Sequence, residues 1–118
     1  MSDNFGLKIG IEGECEFKNS IRDINNSFKV LASEMNLVTS SFSKQENSIG
    51  SLSSKTEVLS KQISLQKEKI ELLKEALKNS TKSFGENDRR TQAWAEKLNT
   101  AQADLNKMES ALSEYKSK

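Results

Sequence analysis

One spacing runs through most of this chain and limits what it can fold into. From Phe17, alternating steps of four and three residues land on Phe17, Ile21, Ile24, Phe28, Leu31, Met35, Val38, Phe42, Gln45, Ile49, Leu52, Thr56, Leu59, Ile63, Gln66, Ile70, Leu73, Leu77, Ser80 and Phe84. Sixteen of these twenty positions are strongly apolar, where a hydrophobic content of 34% predicts about seven. The series passes Asn87 and Thr91 and resumes at Trp94, Leu98, Ala101, Leu105, Met108, Leu112 and Tyr115. A repeat of about 3.5 residues sustained this long is the mark of coiled-coil helices. The chain contains no proline, the residue that breaks helix interiors. With 34% hydrophobic and 30% charged residues, narrow apolar seams are expected rather than a thick core. The expected fold is all-α, built of long coiled-coil helices behind a short N-terminal β-strand.

Residues 1–14 form the N-terminal arm. Phe5, Leu7, Ile9 and Ile11 alternate with Gly6, Lys8, Gly10 and Glu12, the period of a half-buried strand. A lone strand needs a pairing partner; a flexible tail is the other reading of this arm. The first coiled-coil helix spans 15–42. A break at 43–53 follows, where SSFSKQENSIGSLSS is poor in helix formers and carries Gly50. Ser43 with Glu46 and Ser54 with Glu57 both have capping-box spacing, so the second helix starts near 46 or at 54 and runs to 84. Residues 85–118 supply a turn and a third helix, with Gly85 suited to a left-handed C-cap and Asn87 or Asp88 to the next N-cap. The heptad phase crosses both breaks without a slip, so a continuous rod is also open.

Charges favour folding back. With Ile63, Ile70 and Leu77 at a and Leu59 and Leu73 at d, parallel pairing of identical helices brings Lys69 toward Lys74. An antiparallel hairpin of the second and third helices instead places Lys69 opposite Asp104 and Lys67 near Glu109. Exposed pairs contribute only about 0–1 kcal/mol each, against about 1.5–3 kcal/mol per fully buried apolar side chain, so charge sets direction while the seam supplies the driving force. Gln45, Thr56, Gln66 and Ser80 interrupt the seam; such polar residues either fix register or mark looser packing.

The residue inventory argues against an enzyme. Histidine is absent and Cys15 is the single cysteine, which removes the commonest general base and metal ligand and leaves no cysteine–histidine zinc set. No catalytic, cofactor-binding or metal residue is assigned and no cofactor is expected. GLKIGIEG matches neither nucleotide-binding glycine pattern, Arg89 and Arg90 read as surface residues, and Trp94 reads as core. A net charge of +1 gives no basic surface for nucleic acid. No apolar run approaches a membrane span, so no membrane contact is expected. The functional residues are then the seam itself. Its strongly apolar members are those of the series above, completed in the last helix by Trp94, Leu98, Leu105, Met108, Leu112 and Tyr115. The first-helix seam needs a partner to leave water, either another copy or the other two helices, and a homo-oligomer is expected.

The opening FGLKIGIEGECEFKNSIRDINNSFKVLASEMNLV, a short strand of the form LKIGI followed by a helix with the spacing F…I..IN..FK.L.SEM, resembles the N-terminal region of phage tail tape measure proteins of Gram-positive phages and prophages. KTEVLSKQISLQKEKIELLKEAL and SFGENDRRTQAWAEKLNTAQADLNKMESAL look like the helical segments that follow it there. The resemblance implies a structural and assembly role: setting tail tube length and occupying the tail lumen. It implies as partners the tail tube and tail assembly chaperone proteins. It implies the host cytoplasm during assembly and the virion tail lumen afterwards as locations. Because such proteins are far longer, it also implies that this chain is an N-terminal fragment or a short relative. The competing reading is a generic coiled-coil adaptor or chaperone-like module that grips partner helices.

Overall fold

The computed structural model describes residues 13–41 and 49–117. Three helices account for 94% of them: α1 (Glu14–Ser41), α2 (Ile49–Phe84) and α3 (Arg89–Lys116). No strand occurs among the described residues. The expected N-terminal strand, Phe42, Gln45 and the Ser43–Glu46 capping box lie outside them. The Ser54–Glu57 box falls inside α2 rather than at its start, because Ile49–Ser53 are already helical.

The helix ends follow from local chemistry. Gly13, at φ 76°, stands before α1, and its carbonyl accepts the Phe17 amide at 2.9 Å. Gly85 ends α2 at φ 91°, a left-handed conformation that strains any side chain. Its amide still reaches the Thr81 carbonyl at 2.8 Å. Asp88 then caps α3 by accepting the Arg90 amide at 2.8 Å. Of the two candidate caps it is the aspartate that serves.

The helices form an elongated body, with Cα extents of 62 × 24 × 16 Å. α2 is the middle element: α1 packs on it and α3 packs on it, while the backbones of α1 and α3 do not meet. Contacts between α2 and α3 pair Ser80 with Thr91, Gln66 with Ala101 and Lys55 with Tyr115, in opposite order along the two helices. Contacts between α1 and α2 pair Asn25 with Lys69 and Glu34 with Lys61, again in opposite order. The core is a file of Leu59, Ile63, Ile70, Leu73 and Ala76 from α2 with Trp94, Ala101 and Leu105 from α3. Phe17, Ile21 and Met35 of α1 pack against it. The first-helix seam thus leaves water against α2 of the same chain, with Ile24 and Leu31 buried.

A Cβ at Gly85 would meet nothing within 4 Å, so the cost of a side chain there is conformational alone. We expect Gly85→Ala to destabilise the fold by about 1–2 kcal/mol, read from denaturant unfolding, while a Gly85→Asn variant recovers part of the loss because asparagine tolerates the left-handed region.

Candidate helix-contact surfaces

The seam residues fall largely where the spacing places them. Ile24, Leu31, Leu59, Ile63, Ile70, Leu73, Trp94 and Leu105 are buried. Phe17, Ile21, Phe28, Met35, Val38, Leu52, Leu77, Phe84, Leu98, Met108, Leu112 and Tyr115 are half-buried. Ile49 departs from the pattern at 88% exposed. The Lys55–Tyr115 contact already uses the last turn of α3, so the first turn of α2 extends beyond it and Ile49 has no α3 residue opposite. Trp94 is 5% exposed and serves as core, with the Lys97 ammonium 4.9 Å from its ring centroid.

Polar residues inside the seam are packed, not loose. Gln66 is 2% exposed, and its amide nitrogen donates to the Ala101 carbonyl at 2.7 Å. Ser80 and Thr91, both buried, share a hydroxyl–hydroxyl bond of 2.8 Å. The Ser80–Thr91 bond has its side-chain partner in this alignment of α2 against α3, and a buried polar group left unmatched costs about 1–3 kcal/mol. Of the four interruptions, Ser80 therefore favours one register, and Gln45 lies outside the described residues. Thr56 is half-buried.

α2 also buries a row that the main seam does not include. Ser51 and Val58 are buried, and Leu65 and Leu72 are half-buried. These four are spaced by seven, one position before the d residues. Leu72 faces α1, lining a groove with Phe17, Ser20 and Ile24. Ala76, wholly buried, was also outside the seam. A second file of apolar residues seven apart beside the first is the signature of a helix with neighbours on two sides, and Val58, Leu65 and Leu72 carry it in the sequence.

Charge pairs differ from the expected set. Lys69 donates to Asn25 Oδ1 at 3.1 Å rather than pairing with Asp104, although both line the groove between α1 and α3. α1 lies close enough to take the lysine head first. Lys61 meets Glu34 at 3.9 Å with both side chains about half exposed, a contact worth little. At the turn, the Arg90 guanidinium sits 3.5 Å from the Phe84 ring centroid and bonds both Asp88 carboxylate oxygens, at 3.0 and 3.1 Å. The side-chain bond from Arg90 and then the bond from its backbone amide hold the Asp88 carboxyl at about 2. Arg90 is thus a clasp of the turn. Cys15 is exposed, with the Asn19 amide 3.7 Å from its sulfur.

Among the described residues no group of three or more histidine, cysteine, aspartate or glutamate side chains is placed to hold a metal ion. No described helix is long and apolar enough to cross a membrane. Val30 and Leu37, one heptad apart on α1, stand 60% and 68% exposed. Comparisons with protein-family models, curated proteins and solved structures found no match to this chain.

The Ser80–Thr91 bond gives a direct test of register specification. Thr91→Val removes one partner and leaves the Ser80 hydroxyl buried alone, which we expect to cost about 1–3 kcal/mol. Adding Ser80→Ala to that variant should restore much of the loss. Thermal or urea unfolding of the two singles and the double measures the coupling; strict additivity would show that the bond contributes nothing.

Proposed function

We propose that this chain is a structural protein that works through helix–helix contact, and that it is the N-terminal segment of a phage tail tape measure protein. The observation that carries the structural reading is the use of α2: most of its apolar residues are spent on two helical neighbours, and the remaining surface is largely polar and charged. The tape measure reading rests on the resemblance of the strand-then-helix opening and of the two later helical stretches. In this role the segment sits in the host cytoplasm with tail assembly chaperones and tube subunits, then in the tail lumen. The competing adaptor or chaperone-like reading draws on Val30 and Leu37, an exposed apolar pair at heptad spacing able to meet a partner helix.

We further propose that α2 and α3 form an antiparallel coiled-coil hairpin in solution, as the order of their contacts suggests. Spin labels at the exposed positions Glu68 and Asn106 should then lie within about 20 Å of each other, whereas a continuous rod separates them by roughly 57 Å at about 1.5 Å per residue. A distance near the longer value sinks the hairpin.

The ruler role has its own test. In a phage carrying this gene, an in-frame deletion of residues 49–116 should shorten the tail by roughly 100 Å in electron micrographs if these residues run extended in the lumen. Tails of unchanged length would show that these residues do not serve as an extended ruler and would favour the adaptor.

A further inference from the structure

Charge is sorted by side around α1. On one side, the groove between α1 and α3 has a floor of Ile21, Leu73 and Trp94 and a basic rim of Lys18, Arg22, Lys69 and Lys97. Glu96 and Asp104 also line it, leaving a net of two positive charges. On the other side, the groove between α1 and α2 has a floor of Phe17, Ile24 and Leu72 and a rim of Asp23, Glu68, Glu71 and Glu75, with no basic residue in its lining. Lys74 reaches Glu71 at 3.5 Å and Glu14 takes Lys18 at 2.7 Å, so each rim is partly offset without changing sign. The two faces stand at the same level of the rod: Arg22 is next to Asp23, and Lys69 is next to Glu68, yet each pair splits to opposite sides. The grooves are similar in size, about 580 and 540 Å³.

We propose that these faces are the two halves of one self-association surface, the basic α1–α3 face of one copy seating against the acidic α1–α2 face of the next. This rests on the reading of the chain as a helix-contact protein and names the surface and the partner, a second copy. Complementary potentials steer and orient such an encounter. Because the two halves are different patches, the contact is heterologous: each added copy leaves one acidic and one basic face free, and assembly proceeds side by side unless the rotation closes a ring. Rims of exposed charge over small apolar floors make the association salt-sensitive.

The test uses the full chain and two charge-reversed variants, each checked for helix content by circular dichroism. One carries Asp23→Lys, Glu68→Lys and Glu75→Lys, which turns the acidic face basic; the other carries Arg22→Glu and Lys97→Glu, which turns the basic face acidic. Sedimentation of the parent should show association at about 10 mM salt that weakens strongly toward about 1 M, as screening shortens. Each variant alone should be monomeric at low salt, and an equimolar mixture of the two should associate again, since the reversed face of one now matches the reversed face of the other. Association of the parent that is insensitive to both reversals overturns this surface while leaving the helix-contact function standing on another one. A parent that stays monomeric at low salt, or a mixture that fails to associate, overturns the proposal outright; the tail-length and label-distance experiments judge the function separately.

Discussion

Everything in this structure depends on one helix being wanted from two sides. α2 supplies most of the cluster it shares with α3 and faces α1 at Leu72, while Phe17, Ile21 and Met35 of α1 pack against that same cluster. Each fully buried leucine or isoleucine contributes about 1.5–3 kcal/mol, while the charged contacts between helices are exposed and contribute far less. The arrangement is therefore set by where α2 is apolar, and the ion pairs decorate it.

Apolar burial along a seven-residue repeat would accept several alignments, each shifted by one heptad. The buried polar groups remove that freedom. Gln66 finds a carbonyl at Ala101 and Ser80 finds Thr91, and a shift of seven residues would leave both in apolar surroundings. The turn adds a local constraint in the same sense. Phe84, Asp88 and Arg90 are held together by a ring contact and a forked carboxylate bond, with Gly85 supplying the reversed backbone. Register is thus fixed at the turn and again about five helical turns away.

Much of this could be read from residues alone, because heptad spacing is a local signal. The helical content and most of the buried apolar positions agree with it, while the Gly85 stop is read from the glycine itself and the cap only as Asn87 or Asp88. What escaped the reading was set by neighbours rather than by the element itself. Ile49 has the right spacing but outruns its partner helix. Lys69 has a plausible carboxylate on α3 but meets Asn25 of α1 first. Val58, Leu65 and Leu72 look like surplus apolar residues, yet Val58 is buried and Leu72 lines the groove against α1. The side-by-side separation of charge around α1 was likewise invisible, since Arg22 and Asp23 are adjacent in sequence and part only when the helix turns them to opposite flanks.

The absence of any backbone meeting between α1 and α3 has a consequence for how the molecule comes apart. Only successive helices bring their backbones together, so the molecule approaches a short linear array, with side chains of α1 also packed against the cluster that α2 and α3 share. α3 shares the buried cluster with α2 and follows it after a four-residue turn. A sub-global opening that lifted α1 away would leave α2 and α3 in contact. Such an opening would bare Leu72 of α2 and the Ile24–Leu31 stripe of α1 together, apolar surface made available to a new helix without unfolding the rest.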